Sequence, residues 1–245
     1  MAKRPLVSIV TPFYNEGEGV KHFYQVMAQT MEKLPDFDFE IICVDDGSGD
    51  NTLEQLIAIS KTDPRVSVLE FSRNFGKEPA MTAGIDATSG DCVIPIDADL
   101  QDPPALIAEM LQKWQEGAEV VLAKRVDRSS DSFTKRTTAL MFYRLHNALS
   151  HLQIPENVGD YRLMDRVVVD ALKQLPERQR FMKGLFAWVG FKTATVEYIR
   201  DARIVGDSKF SGWKLWNFAI EGITSFSLVP LKVWTYIGGI GALFA

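Results

Sequence analysis

Short apolar segments of strand length alternate along this chain with longer segments in which apolar residues recur every three or four positions. Repeated alternation of this kind predicts strand–helix–strand units with parallel strands. Parallel sheets are covered by helices on both faces, so their strands are apolar on both sides. We therefore predict an α/β fold with a mostly parallel sheet flanked by helices. The predicted strands are LVSIVT (6–11), FEIICVDDG (39–47), VSVLEFS (66–72), DCVIPIDAD (91–99) and EVVLAKR (119–125).

The segments between these strands carry the helical pattern. We predict a second helix from about Asn51, a third over residues 78–88, and a fourth that opens with Pro103 and Pro104, because proline is tolerated in a first helical turn. The first helix is predicted from apolar residues spaced by three and four positions, namely Val20, Phe23, Met27, Met31 and Leu34.

Polar and charged side chains stand where the predicted strands end. Ligands of open α/β sheets bind at the carboxyl ends of the strands. Five such ends would bring about a dozen functional groups to one edge of the sheet, so we predict a binding or catalytic site there. These residues are Pro12, Tyr14, Asn15 and Glu16 after the first strand, Asp45 and Asp46 at the end of the second, Arg73, Asn74 and Lys77 after the third, Asp97 and Asp99 at the end of the fourth, and Arg125 and Arg128 after the fifth.

The segment IPIDADLQDPP ends an apolar run in three acids, Asp97, Asp99 and Asp102. Carboxylates that converge repel each other unless a cation lies between them. Oxygen ligands from one or two acids, completed by diphosphate oxygens, suit Mg²⁺ or Mn²⁺. The chain has no glycine-rich signature of a dinucleotide fold or P-loop. If a phosphate ligand binds here, something other than a glycine-rich loop must therefore neutralise its charge, and a divalent cation would do so. The alternative is that Asp99 and Asp102 cap the next helix, which we favour for Asp102 because a proline follows it.

Seven segments carry an ordered set of motifs along essentially the whole chain: VSIVTPFYNE, ICVDDGSGDNT, FSRNFGKEPAMTAGIDATSGD, IPIDADLQDPP, NVGDYRLMDR, RFMKGLFAWVGF and RIVGDSKFSGWKLWNFAIEGITSFS. Together they resemble the motifs of the family-2 inverting glycosyltransferases with the Rossmann-like GT-A fold. The resemblance is strongest to the polyprenyl-phosphate branch, which includes bactoprenol glucosyltransferases and dolichyl-phosphate mannose synthases. It implies a GT-A catalytic domain over residues 1–210.

The resemblance also implies roles for individual residues. Asp99 would bind Mg²⁺ or Mn²⁺ with help from Gln101, and Asp160 would lie beside the acceptor, so Asp99 and Asp160 are the predicted catalytic residues. A phosphate monoester acceptor has a second pKa of about 6 and is already mostly a dianion, so Asp160 would orient it more than deprotonate it. By spacing alone, Asp160 is equally well explained as a turn residue after Gly159. The predicted contacts to the nucleotide sugar are Pro12, Tyr14, Glu16, Val44, Asp45, Asp46, Asp97, Ala98 and Arg125.

A dianionic acceptor also needs cations. Residues 124–146 hold an excess of Lys and Arg over acids in a chain of net charge -5, although such a basic face is often simply solvated. The acidic net charge also argues against nucleic acid as a partner. The predicted phosphate and acceptor contacts are Arg128 and Arg136 in this basic segment and, by resemblance, Arg203, Ser208 and Lys209.

The C-terminal segment differs from the rest of the chain. Residues 211–231 combine tryptophans with few charges and predict an amphipathic helix at a membrane surface, with a helix packed on the core as the alternative. After Lys232 the last 13 residues are uncharged, and we predict that residues 232–245 begin a transmembrane helix truncated by the chain end. The alternative is a C-terminal core helix. A spanning helix needs about 20 apolar residues.

These observations converge on one function hypothesis. We predict a metal-dependent, inverting glycosyltransferase that moves a hexose from a nucleotide sugar to undecaprenyl phosphate at the cytoplasmic face of the bacterial inner membrane. UDP-glucose is the favoured donor by resemblance; GDP-mannose, UDP-N-acetylglucosamine and a modified arabinose donor stay open, as does a homo-oligomeric state. The rival classes are a sugar-nucleotide nucleotidyltransferase, which would want a glycine-rich signature near the N-terminus, and a non-catalytic membrane scaffold, which would bind neither metal nor nucleotide.

Overall fold

The computed structural model describes residues 3–127, 158–175, 182–199, 235–238, 240 and 242. The chain divides into two compact units. The first comprises Met1–Asp127, Asn157–Arg180 and Val189–Val205, and the second comprises Arg128–Glu156, Phe181–Trp188 and Gly206–Ala245. The sheet and the residues of the candidate site described below belong to the first unit.

A seven-stranded sheet with the order β3-β2-β1-β4-β6-β5-β7 forms the centre of the first unit. Four neighbouring pairs are parallel, and β6 runs antiparallel to both of its neighbours. The prediction of a mostly parallel α/β sheet is therefore confirmed. The strands are β1 (Leu6–Phe13), β2 (Asp38–Asp45), β3 (Val66–Glu70), β4 (Cys92–Pro95), β5 (Val120–Asp127), β6 (Val158–Asp165) and β7 (Thr193–Ile199).

The antiparallel strand β6 matters for the site. It is inserted between β4 and β5, with Asp165 opposite Cys92 at the beginning of β4 and Val158 opposite Lys124 near the end of β5. The first residues of β6 therefore lie at the edge where the parallel strands end. Asp160 reaches the carboxyl edge because its strand begins there.

The helices follow the sequence pattern, with one difference at α4. The predicted helix opens with Pro103 and Pro104, whereas the observed helix begins at Leu106. The two proline carbonyls instead accept bonds from the backbone N–H groups of Leu106 and Ile107, at 3.1 and 3.0 Å, in the turn before the helix. The helices are α1 (Val20–Glu32), α2 (Thr52–Thr62), α3 (Lys77–Asp86), α4 (Leu106–Gln115), α5 (Arg166–Lys173) and α6 (Met182–Trp188), the last in the second unit.

The helix-capping interpretation of Asp102 was wrong. The N-cap residue of α4 is Ala105, and no side chain caps this helix. The buried carboxylate of Asp102 accepts a hydrogen bond from the Tyr198 hydroxyl of β7, and the hydroxyl of Tyr161 donates to the Pro103 carbonyl at 3.1 Å. These contacts tie the loop after β4 to β6 and β7.

The core lies between the sheet and the helices. Four of the five apolar residues that predicted α1 are buried on this helix, and the ring of Phe23 meets Phe13 of β1 edge to face at 5.4 Å. On the other face, α3 approaches closely because it has a glycine at position 84, where an added Cβ would lie 2.4 Å from a Val10 methyl carbon. This close packing fixes the height of α3 above the sheet.

Among the described residues, no helix has the length and hydropathy needed to cross a bilayer. The predicted interfacial helix at 211–231 lies outside the described residues. Of the predicted membrane segment 232–245, the structure describes residues 235–238, 240 and 242, which are helical and exposed.

Candidate active site

One carboxylate from the loop after β4 and one from strand β6 meet at one lysine on the carboxyl edge of the sheet. The ammonium nitrogen of Lys77, the first residue of α3, lies 2.7 Å from Asp97 Oδ1 and 2.9 Å from its Oδ2, and 2.8 Å from Asp160 Oδ2. The side chain of Lys77 is 42% exposed, whereas those of Asp97 and Asp160 are 29% and 14% exposed. Partial burial opposes the charge of Lys77, but the attraction of Asp160 and Asp97 outweighs it and raises the lysine pKa above its usual value.

The position of Lys77 is set by the loop that precedes it. The carboxylate of Asp46, at the end of β2, accepts hydrogen bonds from the backbone N–H groups of Phe75 and Gly76 at 2.7 and 2.9 Å, and from the Asn74 side chain at 2.9 Å. Gly47 has φ +66°, and an added Cβ would lie 2.3 Å from the backbone carbon of Arg73. Asp46 and Gly47, in the motif DDGS (residues 45–48), thus hold the 74–76 loop in place by charged hydrogen bonds and by close backbone contact.

The two adjacent acids of this motif have different environments. Asp46 is buried, and both of its oxygens accept bonds from the 74–76 loop. Asp45 is equally buried; its Oδ2 accepts a bond from Ser48 N at 3.1 Å, but its Oδ1 has no hydrogen-bond partner within the described part of the chain. The sequence predicted both acids as nucleotide contacts, and in the structure Asp46 supports the loop that carries Lys77.

The loop after β4 makes a tight turn through the predicted metal ligands. Asp97 O accepts a bond from Leu100 N at 3.3 Å, Leu100 has φ 51°, and Asp99 Oδ1 accepts a bond from Gln101 N at 3.2 Å. A non-glycine residue in this left-handed conformation is uncommon and is enriched at functional sites. The turn brings the Asp97 and Asp99 carboxyl groups and the Gln101 amide into one short segment.

The donor set of this turn fits a magnesium or manganese ion. It offers carboxylate and amide oxygens, and the described residues contain no cluster of three or more His, Cys, Asp or Glu side chains able to enclose a metal. Mg²⁺ and ions like it are commonly held by one or two carboxylates with substrate phosphates and waters completing the shell. The carboxylate and amide oxygens of this turn therefore fit a divalent cation whose shell other oxygen ligands complete.

A buried arginine lies behind Asp160. Arg162 is 5% exposed, and its guanidinium donates to the carbonyls of Gly159 and Asp160 at 2.7 and 3.3 Å. Burial lowers the pKa of Arg162 to about 10, against the opposing attraction of Asp160. Arg162 was not singled out from the sequence, whereas Lys77 was placed among the strand-end residues of the predicted site without a role of its own. The signal for Arg162 was its spacing of two from Asp160, which puts both side chains on one face of β6.

The loop after β1 is joined to the loop after β2. Asn15, with φ 52°, donates its backbone N–H to Ser48 Oγ at 3.0 Å and accepts Gly49 N on its side chain at 2.8 Å. The backbone N–H of Glu16 donates to Thr52 Oγ1 at 2.9 Å. These hydrogen bonds join the two predicted nucleotide-binding loops to each other at the edge of the sheet.

The remaining predicted residues occupy the same edge or lie outside the described residues. Pro12 is partly buried in β1, Tyr14 is 41% exposed after it, and Val44 is buried in β2. Ala98 lies between Asp97 and Asp99, and Arg125 is partly buried near the end of β5. The predicted phosphate and acceptor contacts outside the described residues are Arg128, Arg136, Arg203, Ser208 and Lys209.

Two known proteins are similar to nearly the whole of this chain. The chain is 54% identical over 239 residues to the "Prophage bactoprenol glucosyl transferase homolog" of Escherichia coli strain K12, covering 98% of this chain and 78% of that protein. It is 55% identical over 232 residues to the "Bactoprenol glucosyl transferase" of Shigella phage SfX, covering 95% of this chain and 76% of that one.

A solved structure shares the fold. The glucosyl-3-phosphoglycerate synthase of Mycobacterium tuberculosis, in complex with Mn²⁺, UDP and phosphoglyceric acid, superposes with a TM-score of 0.59 at 22% identity, covering 89% of this chain and 76% of that one. Residues 8–173 match the family described as "Glycosyl transferase family 2". The sheet, the carboxylates at its edge and these similarities lead to one assignment: the chain belongs to glycosyl transferase family 2 and is a glycosyltransferase with a GT-A-like fold.

Proposed function

We propose that this protein transfers glucose from UDP-glucose to undecaprenyl phosphate at the cytoplasmic face of the bacterial inner membrane, with inversion at the anomeric carbon. The observation that carries the proposal is the 55% identity to the bactoprenol glucosyl transferase of Shigella phage SfX over 95% of the chain. The family assignment gives the reaction class, and the name of this relative supports the proposed acceptor and sugar.

The geometry supports a reaction between two charged substrates. Asp97 follows β4 and belongs to the predicted nucleotide-sugar contacts. Asp160 is the third residue of β6 and is the predicted acceptor-side residue. Lys77 contacts both. The residues proposed for the two halves of the reaction thus lie next to each other at one edge of the sheet, which supports a direct displacement.

The proposed chemistry is a single displacement. An oxygen of the acceptor phosphate forms a bond to the anomeric carbon while the bond from that carbon to the UDP oxygen breaks, and the bonding electrons leave with UDP. The phosphate is mostly dianionic at neutral pH and needs no general base, because its second pKa is about 6. Asp160, held on β6 and paired with Lys77, is then an orienting group rather than a proton acceptor.

The leaving diphosphate needs positive charge. A divalent cation held by Asp99 and Gln101 would neutralise negative charge on the diphosphate, and the M. tuberculosis neighbour contains Mn²⁺ with UDP. Arg125, near the end of β5, is the proposed protein cation on the same side. Arg128, Arg136, Arg203, Ser208 and Lys209 are proposed to bind the acceptor phosphate. Pro12, Tyr14, Glu16, Val44 and Asp45 are proposed to line the nucleoside.

The domain boundaries are proposed from the sequence: a catalytic domain over 1–210, an interfacial helix over 211–231 and the beginning of a transmembrane helix at 232–245. A bilayer-anchored acceptor gives such segments a purpose, because they would keep the protein at the membrane surface.

A transfer assay tests the proposal. Purified protein with Mg²⁺ or Mn²⁺ and undecaprenyl phosphate in detergent should move radiolabel from UDP-glucose into the organic phase, and should not move it from GDP-mannose. Asp99→Asn should reduce this transfer at least 100-fold, about 2.7 kcal/mol in the barrier, which is the usual order for removing one electrostatic stabiliser. Asp170→Asn, an exposed charge change on α5, is the matched control. If label is transferred from GDP-mannose alone, the proposed donor is wrong and GDP-mannose takes its place. Absence of both transfer and nucleotide binding would refute the enzyme assignment.

A further inference from the structure

Lys77 occupies the junction between the donor-side and acceptor-side carboxylates. Its nitrogen contacts both oxygens of Asp97 and one oxygen of Asp160, all within 2.9 Å. A lysine ammonium group has three N–H donors, so these contacts use its donor capacity. The lysine is a compact point charge, suited to neutralising two carboxylates at once.

This placement is built into the backbone. Lys77 follows directly on the residues held by Asp46, whose carboxylate binds Phe75 N and Gly76 N. Helix α3 is in turn set close to the sheet at Gly84. The Lys77 side chain therefore starts from a loop held by Asp46 and from the first residue of a helix packed closely on the sheet.

The same carboxylate, Asp97, lies two residues from the predicted metal ligand Asp99. A divalent cation held at this turn would carry the same sign of charge as the Lys77 ammonium group and would compete with it for the Asp97 carboxylate. Their repulsion falls with distance and with solvent screening, and the partly exposed lysine side chain moderates it without abolishing it.

We propose that Lys77 is a positioning residue that links the two half-sites, holding Asp160 in place and sharing Asp97 with the incoming metal. This inference rests on the proposed function and deepens it. Before the donor binds, Lys77 keeps the two carboxylates together. When the cation and diphosphate engage the turn after β4, Lys77 gives up Asp97 and stays with Asp160, so that donor binding prepares the acceptor side.

The first test measures metal binding without any reaction. Mn²⁺ alone is titrated by electron paramagnetic resonance into wild-type protein and into Lys77→Met, Lys77→Arg and Lys173→Met. Lys77→Met should bind Mn²⁺ about tenfold more tightly, the scale of losing one nearby like charge in a partly screened site, whereas Lys77→Arg should stay near wild type. Lys173→Met is the matched control, because Lys173 contacts the Asp86 carbonyl at the opposite end of α3.

The second test measures transfer by the same variants. Lys77→Met should lower kcat at least tenfold with little change in the KM for UDP-glucose, and Lys77→Arg should recover most of kcat. A lysine with only a structural role would instead lower the melting temperature and weaken Mn²⁺ binding together. That result, or an unchanged Mn²⁺ affinity in a folded Lys77→Met protein, would overturn the inference.

The experiments distinguish failure of the Lys77 proposal from failure of the proposed function. If wild-type protein transfers glucose and Lys77→Met matches it in Mn²⁺ affinity and kcat, the role of Lys77 is refuted and the function stands. If wild-type protein transfers no sugar from UDP-glucose, the proposed function fails. The Mn²⁺ titration still decides whether Lys77 competes for Asp97.

Discussion

Replacing Asp46 by asparagine should loosen the loop that places Lys77. In the folded protein Asp46 Oδ1 accepts the bond from Phe75 N, and Oδ2 accepts the bonds from Asn74 Nδ2 and Gly76 N. Asparagine has the same shape but offers one acceptor oxygen and one NH₂ donor group. Whichever way the amide turns, at least one N–H donor of the loop then faces another donor.

The magnitude follows from the contacts. Hydrogen bonds to a charged group contribute about 1.5–3 kcal/mol each, and neutral ones about 0.5–1.5 kcal/mol. The best orientation keeps the two bonds at the Oδ2 position in weakened form and loses the bond to Phe75 N. The expected loss in the free energy of unfolding is therefore about 4–5 kcal/mol, which corresponds to a fall of about 8–20 °C in the melting temperature of a protein of this size.

Asp45→Asn is the matched control, because it makes the same chemical change one residue away. The amide oxygen can keep the bond from Ser48 N, and the amide removes charge from a buried oxygen that has no hydrogen-bond partner in the described part of the chain. The expected change in the free energy of unfolding is within about 1 kcal/mol. If Asp45 contacts the nucleotide, this variant should lose UDP affinity while it keeps its stability.

Urea unfolding and amide hydrogen exchange measure these effects. In Asp46→Asn the amides of Phe75 and Gly76 should exchange faster than in wild type, and those of β1 and β2 should change only with global stability. Equal destabilisation by Asp45→Asn and Asp46→Asn, or unchanged exchange at Phe75 and Gly76, would refute the assignment of Asp46 to the loop.

Two further predictions concern other parts of the same unit. Gly47→Ala should lower the free energy of unfolding by about 2 kcal/mol or more, since φ is +66° and the new Cβ would lie 2.3 Å from the Arg73 backbone; a melting temperature equal to that of wild type would contradict this. Asp63→Asn should be less stable than wild type at neutral pH, because hydrogen bonds from Arg65 hold the pKa of Asp63 down at about 2. Since this folded-state pKa lies below the unfolded value of about 3.9, the stabilisation of about 1–2 kcal/mol is present above about pH 4 and is lost as the pH falls towards 2. Urea unfolding from pH 7 to pH 2 should show the difference between the two proteins closing, and a difference independent of pH would exclude the ion pair as its cause.

The order and type of the first nine elements follow from local periodicity. Alternating apolar runs and three-to-four spacings act over one element at a time, so the sequence alone predicted β1 to β5 and the helices between them, with an error at the beginning of α4. That error came from reading Pro103 and Pro104 as a first helical turn, while their carbonyls complete the turn before Leu106. Proline tolerates both positions, and periodicity does not separate them.

Long-range pairing decided what periodicity left open. No local pattern states that β6 inserts antiparallel between β4 and β5, yet this pairing brings Asp160 to the edge where Asp97 lies. From the sequence, Asp160 was assigned to the acceptor side only because the chain resembles the family-2 glycosyltransferases.

The DDGS motif and Lys77 show most clearly which features the sequence determined and which the tertiary structure decided. The sequence determined that acids and cations gather at the strand ends, because the ends of parallel strands share one edge. Only the tertiary structure decided that Asp46 supports a loop and that Lys77 joins Asp97 to Asp160. These partners lie 20 to 83 positions apart in the chain, and hydrogen-bond geometry over such separations is fixed by packing of the whole sheet rather than by neighbouring residues.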